Sequence, residues 1–200
     1  MNKKIMFNDK FGLTQAVLDG RKTMTRRIIK LDKLGEYNFD NALKHEWGRK
    51  SIEAYINIYA RYKVGEVIAI AQSYESVYHE CGLETMDMLV SSLKYNDGWT
   101  NKMFVKADLM PHHIEIIGIK AERLQDISDE DCLKEGIYRL DSANGNGGIA
   151  YSFVGASDKK HIGLYNTPRD AFEVLIDKVS GKGVFQSNPY VFVYEFKLID

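Results

Sequence analysis

Most of what the sequence reveals about the fold starts from one segment, Gly20-Arg21-Lys22-Thr23-Met24-Thr25-Arg26-Arg27. It places four cationic side chains and two hydroxyl groups directly after a glycine that closes a short amphipathic stretch. Like charges repel each other, so a surface turn gains nothing from collecting them unless an anion or a carboxylate lies nearby. The segment therefore indicates a polar site near the start of the domain, or else a solvated basic turn.

Positive and negative charges are separated along the chain. The 200 residues carry a net charge of -1, which argues against a protein that coats nucleic acid nonspecifically. Residues 1–30 nevertheless contain eight basic side chains and two acidic ones, whereas residues 121–141 contain seven acidic side chains and three basic ones. This pattern predicts that the basic segment meets the acidic segment in space.

No feature of the sequence indicates a metal, a cofactor or a membrane. Cys81 and Cys132 are far apart and lack the spacing of metal ligands. No apolar run approaches the roughly 20 residues that cross a bilayer. We therefore expect a cytoplasmic protein with reduced thiols, without a metal, a cofactor or a membrane partner.

The apolar pattern predicts more strands than helices. The expected strands cover residues 3–7, 24–29, 66–72, 102–108, 113–123 and 189–198, and the expected helices lie in 32–60 and 167–180. Because the strands do not alternate with long helices, the pattern favours a small mixed barrel over a doubly wound sheet. We expect a single domain over residues 1–200, with helical insertions near 32–60 and 76–100 and a glycine-rich loop near 141–163.

Two helix starts are marked by capping residues. Ser128 precedes three acidic residues, which suits the first turn of a short helix that ends near Glu135 and Gly136. Thr167 and Pro168 mark a second start, with Thr167 as the N-cap and Pro168 in the first helical position. Apolar residues at helical spacing follow that start, namely Phe172, Leu175, Ile176 and Val179.

Four separated segments together resemble a known family. Gly20-x-Lys22-x-x-Thr25-x-Arg27 is similar to the Gly-x-Lys-x-x-(Glu/Thr)-x-Arg signature of ASCH domains in the PUA-like superfamily. The other segments resemble that family's turn into a barrel strand, its acidic helix and its closing strand, and they are 62–67, 127–137 and 188–196. The resemblance implies an α+β fold, a mostly antiparallel PUA-like β-barrel with surrounding helices.

Within that superfamily, the motif is similar to that of small bacterial N(4)-acetylcytidine amidohydrolases. The resemblance implies a catalytic triad of Lys22, Thr25 and Glu135, which would hydrolyse the amide of an N-acylated pyrimidine nucleoside without a metal. A threonine hydroxyl needs a neighbouring base to become a nucleophile, and a lysine acts as that base only if its pKa is lowered. Positions 22 and 25 of a regular strand point to opposite faces, so Lys22 must lie in a turn and the strand must begin near Met24.

The remaining residues of the motif are candidates for substrate binding, namely Gly20, Arg21, Arg26 and Arg27. We expect Arg27 to fix the motif through a carboxylate or a strand-end carbonyl, and Arg26 to be the better candidate for a phosphate or an exposed acid. The expected partner is a small-molecule nucleoside or modified base, either free or within RNA. Two alternatives remain open: a non-catalytic module that binds RNA or a modified base, and an interaction protein whose inserted helices form the interface.

Overall fold

The computed structural model describes residues 3–31, 33–81, 92–141, 148–153 and 163–199. The strands, in chain order, are β1 (Lys4–Ile5), β2 (Met24–Ile28), β3 (Val67–Ile70), β4 (His113–Arg123), β5 (Tyr138–Asp141), β6 (Ile149–Ser152) and β7 (Tyr190–Leu198). The helices are α1 (Leu13–Leu18), α2 (Lys33–Lys44), α3 (Glu46–Tyr59), α4 (Tyr74–Cys81), α5 (Asp129–Lys134), α6 (Pro168–Ser180) and α7 (Val184–Ser187). Short 3-10 turns cover Asp9–Phe11, Ala107–Leu109 and Leu124–Asp126.

Five of these strands form one open, mixed sheet in the order β1-β3-β4-β7-β2. β1 pairs with β3 in parallel, and the other neighbours in the sheet are antiparallel. β1 and β2 are the two ends of this order, and within the described residues the sheet does not close on itself. The predicted closed β-barrel is therefore wrong, and the fold is α+β with an open mixed sheet.

One missing strand accounts for part of this difference. The segment 102–108 was expected to be a strand, but it forms turns that lead into the 3-10 turn Ala107–Leu109. The side chains of Met103 and Phe104 are exposed, and the Lys4 ammonium donates to the carbonyls of Met103 (2.6 Å) and Val105 (2.6 Å). A lysine thus binds backbone groups that a neighbouring strand would otherwise have used.

The predicted insertions differ in outcome. The segment near 32–60 contains α2 and α3, which pack together as a helical pair. Of the segment near 76–100, residues 82–91 lie outside the described residues. The glycine-rich segment near 141–163 lies largely outside them as well, but its described part contains β6, which pairs with β5 in a hairpin that was not predicted.

The core is built on β7, where every residue from Tyr190 to Tyr194 is buried. Phe39 of α2 packs on Tyr190 with ring centroids 4.9 Å apart, and Phe172 of α6 belongs to the same apolar core. Predicted capping is confirmed at the start of α6, because Thr167 accepts a hydrogen bond from the Asp170 amide (3.1 Å) and Pro168 is the first helical residue. None of the helices in the described residues combines the length and apolar character needed to cross a bilayer.

Candidate functional site

The turn before β2 sets the position of Lys22. Gly20 follows α1 with its backbone in the left-handed region (φ +70°), which residues other than glycine rarely adopt. Its amide donates to Val17 O (2.9 Å). The Lys22 amide then bonds back to Ala16 O (2.8 Å), and β2 begins at Met24. Lys22 therefore lies in the turn and not in the strand, which satisfies the geometric condition for a shared Lys22–Thr25 site.

The ammonium group of Lys22 is buried, with 2% of the side chain exposed. Its Nζ donates to the carbonyl of Met24 (2.7 Å), the carbonyl of Glu135 (2.8 Å) and the Glu135 carboxylate (2.5 Å). These are as many acceptors as an ammonium has protons. The three bonds hold the turn, the start of β2 and the end of α5 together.

Glu135 reaches this position because α5 ends directly before it. Ser128 caps the start of α5 by accepting from the Asp131 amide (3.1 Å), as predicted, and Glu135 is the C-cap residue. The carbonyl of Lys134 accepts from the Thr23 amide (3.0 Å), which joins the end of the helix to the turn before β2. Gly136 follows with φ +105°, and a Cβ atom there would lie 3.2 Å from Leu13 Cδ2.

Arg26 lies in a cluster of three carboxylates. Its guanidinium is 1% exposed and donates to Glu122 (2.7 Å), Asp131 (3.0 Å) and Glu135 (3.1 Å). The segment 121–141 supplies all three carboxylates, so the predicted meeting of the basic and acidic segments is confirmed. Glu122 and Asp131 were not named as site residues, although the charge pattern of the sequence pointed to their segment.

Burial and charge shift the pKa values in this cluster. Burial lowers the pKa of Lys22, and the nearby positive charges of Arg27 and Arg26 act in the same direction against the Glu135 carboxylate. Burial alone would raise the pKa of Asp131, but its hydrogen bond to Arg26 and the charges of Lys120 and Lys134 outweigh burial and lower it. The cluster therefore favours an ionised Asp131 and eases proton loss from Lys22.

Thr25 shares a cavity with the cluster. The cavity has a volume of about 330 Å³, and Lys22, Thr25, Arg26, Arg27 and Glu135 all line it. Within the described residues, no hydrogen bond engages the Thr25 hydroxyl. Thr25 is thus a buried side chain (6% exposed) with an uncommitted hydroxyl at the wall of a cavity.

The rest of this cavity, which we call the Thr25 cavity, is mostly apolar. One side is formed by the residues of α6 that were predicted at helical spacing, namely Phe172, Leu175, Ile176 and Val179. Phe7 and Leu13 also belong to this surface, and the Lys22 Nζ lies 5.9 Å from the centroid of the Phe7 ring. Asn8 is a polar lining residue that was not predicted as a site residue, because no motif in its own segment indicates a functional role.

The predicted substrate-binding residues separate into two groups. Arg26 and Arg27 border the Thr25 cavity, whereas Gly20 and Arg21 are not among its lining residues. Arg21 is exposed and pairs with Asp19 (2.7 Å). Arg27 is exposed and donates to the carbonyl of Met6 (2.7 Å), the kind of backbone partner that was expected for it. Gly20 serves the conformation of the turn.

Comparison of this chain with models of protein families, with curated proteins and with solved structures found no match. The resemblance to ASCH domains therefore rests on the sequence motifs alone. Among the described residues, no group of three or more histidine, cysteine, aspartate or glutamate side chains is arranged to hold a metal ion. The candidate site is accordingly assigned from its own geometry.

Proposed function

We propose that this protein hydrolyses the amide bond of an N-acylated pyrimidine nucleoside, with Thr25 as the nucleophile and without a metal. The observation that carries the proposal is that Lys22, Thr25 and Glu135 line one cavity in which no described residue makes a hydrogen bond to the Thr25 hydroxyl. The apolar surface from α6 suits the flat face of a base, and the charged residues of the same cavity suit its polar edge. The motif resemblance supplies the substrate class.

In the proposed reaction, Thr25 Oγ1 attacks the acyl carbon and forms an ester. The carbon–nitrogen bond breaks, and the proton lost by the hydroxyl passes to the departing exocyclic nitrogen of the base. Water then hydrolyses the ester, which restores Thr25 and releases the carboxylic acid. A threonine hydroxyl follows this path only when a neighbouring base accepts its proton.

Lys22 is the proposed base. Its lowered pKa favours loss of a proton, and the Glu135 carboxylate, 2.5 Å from Nζ, is placed to receive it. The neutral amine then turns from Glu135 toward the cavity and takes the proton of Thr25. Arg26 holds the other oxygen of Glu135 at 3.1 Å, which keeps the carboxylate oriented during the transfer.

Cys132 is another nucleophilic side chain near this site, and its properties favour Thr25 instead. Burial raises the pKa of the Cys132 thiol to about 12. A thiol with that pKa stays protonated at neutral pH and is a poor nucleophile. Cys132 is also fully buried in the core and is not a lining residue of the Thr25 cavity.

The test is incubation of the purified protein with N(4)-acetylcytidine and other acylated nucleosides, with products followed by chromatography. We expect Thr25→Ala to abolish turnover and Thr25→Ser to retain part of it, because serine keeps the hydroxyl. Thr23→Ala is the matched control, since Thr23 is two residues away and does not line the cavity. Full activity of Thr25→Ala would show that its hydroxyl is not the attacking group.

One observation favours a second candidate, a module that binds a modified base without reacting. The Lys22 Nζ already donates to three acceptors and makes no hydrogen bond to Thr25, an arrangement that suits a fixed recognition surface. In that case Thr25→Ala would cost about 1 kcal/mol of ligand affinity, the value of one hydrogen bond. No product would form with the wild-type protein on any acylated nucleoside.

A further inference from the structure

A second cavity adjoins the Thr25 cavity. It has a volume of about 420 Å³, and it shares Met6, Arg27 and Ile28 with the Thr25 cavity as lining residues. Arg27 therefore stands at the boundary between the two. Together the cavities offer room for a ligand longer than one base.

The charges around the second cavity are of one sign. It is lined by four basic residues, Lys4, Arg27, Lys30 and Arg61, and none of the described residues that line it is acidic. Lys4 is held by backbone carbonyls and contributes its charge at a distance. Within the described part of the chain, no hydrogen bond or ion pair engages the side chains of Lys30 and Arg61. Such a group of like charges is stabilised by an anion.

Tyrosines form much of the remaining wall, namely Tyr55, Tyr59, Tyr62 and Tyr194. The rings of Tyr55 and Tyr59 lie with centroids 4.4 Å apart, and 62% of Tyr59 is exposed. Burial raises the pKa values of Tyr55, Tyr62 and Tyr194, so these phenols stay neutral and keep their O–H donors. Tyr62 donates its O–H to the Lys4 carbonyl (3.0 Å), whereas the O–H groups of Tyr55 and Tyr194 donate to no described residue and can bind an anion. The rings also offer flat surfaces for a sugar or a base.

We propose that the second cavity binds the phosphate of a nucleotide whose pyrimidine base occupies the Thr25 cavity. Arg27, Lys30 and Arg61 contact the phosphate, and the ribose lies between them and Thr25. The substrate class is then a nucleoside monophosphate in place of a free nucleoside. This inference rests on the proposed function for the identity of the base, but the phosphate contacts do not depend on any reaction at Thr25.

The test is titration calorimetry with cytidine 5′-monophosphate, cytidine and inorganic phosphate. We expect the monophosphate to bind at least roughly tenfold more tightly than cytidine, since one charge-assisted hydrogen bond accounts for a factor of this size. Arg61→Gln should remove roughly tenfold of the affinity for the monophosphate and leave the affinity for cytidine unchanged. Arg49→Gln is the matched control, because Arg49 is an exposed arginine of α3 that does not line the cavity.

Several results would overturn the proposal. Equal affinity of the wild type for cytidine and its monophosphate would remove the phosphate subsite, and so would an equal loss in Arg61→Gln and Arg49→Gln. Absence of binding by the monophosphate, with or without binding of an RNA oligonucleotide, would also overturn it. Failure of the proposed hydrolysis is distinguishable from failure of the phosphate site. In the first case, Thr25→Ala and the wild type would both bind the monophosphate, and neither would release a carboxylic acid from an acylated nucleoside.

Discussion

Arg26 and Arg27 are neighbours in β2, yet the protein uses their charges in opposite ways. Arg26 is buried and donates to three carboxylates, whereas Arg27 is exposed, donates to one carbonyl and borders two cavities. Successive side chains of a strand point to opposite faces, and β7 fixes which face is which by pairing Arg26 with Val193 and Arg27 with Phe192. The same residue type therefore serves the structure at one position and is available to a ligand at the next.

This difference follows from neutralisation. The charge of Arg26 is balanced by carboxylates at its own position, so its ion pairs stabilise the contact of β2 with β4 and α5. None of the described residues that line the second cavity carries a carboxylate to balance its positive charges. A balanced cluster loses stability when one member is removed, while an unbalanced cluster loses affinity for an anion.

The largest effect is expected for loss of the Thr25 hydroxyl. Thr25→Ala should reduce kcat for the hydrolysis of an acylated nucleoside by about 10⁴-fold or more, because removing the nucleophile of a triad has effects of that order. The free energy of unfolding should change little, since no described hydrogen bond is lost. Single-turnover assays and urea denaturation on the same preparation would check both points. A tenfold loss or less would place Thr25 in binding and not in chemistry.

The comparison of the two arginines is tested directly by replacing each with leucine. Arg26→Leu should lower the free energy of unfolding by about 3–5 kcal/mol, because three buried carboxylates lose their shared partner. Arg27→Leu should change it by less than about 0.5 kcal/mol, as is usual at exposed positions. Urea denaturation monitored by circular dichroism measures both values. Equal effects of the two substitutions would contradict the assignment of separate roles.

The sequence predicted the parts of this site that depend on local signals. Ser128 and Thr167 are N-caps recognisable from their own neighbours, and the charge pattern predicted that segment 121–141 meets the basic motif. The sequence alone could not show whether Arg26 or Arg27 points inward, because that depends on the register of β2 with β7. The strand expected at 102–108 is absent for a similar reason, since two of the segment's carbonyls are bound by Lys4, a residue about a hundred positions away.

The next effect concerns Gly136, which directly follows Glu135. Gly136→Ala should destabilise the fold by about 1–3 kcal/mol, because an alanine at φ +105° is strained. The new Cβ would also press on Leu13 Cδ2 (3.2 Å), and because Leu13 lines the Thr25 cavity, turnover should fall along with stability. Gly20→Ala is the comparison, since a Cβ at Gly20 meets nothing within 4 Å and only the backbone is strained. Loss of turnover by both variants alike would argue against a specific effect through Leu13.

The smallest effect is the pH dependence that Asp131 adds to the Arg26 cluster. The pKa of Asp131 in the folded protein lies below its ordinary value of 3.8, so the unfolded chain binds more protons between the two values. The stabilisation is therefore fully present above the ordinary pKa and is lost as the pH falls through the lowered one. One such group contributes a slope of at most about 1.4 kcal/mol per pH unit. Urea denaturation at a series of pH values should show a shallower acid limb for Asp131→Asn, whereas Asp129→Asn, in the same helical turn but outside the Arg26 cluster, should keep the wild-type slope. An unchanged limb in Asp131→Asn would mean that Arg26 is balanced by Glu122 and Glu135 alone.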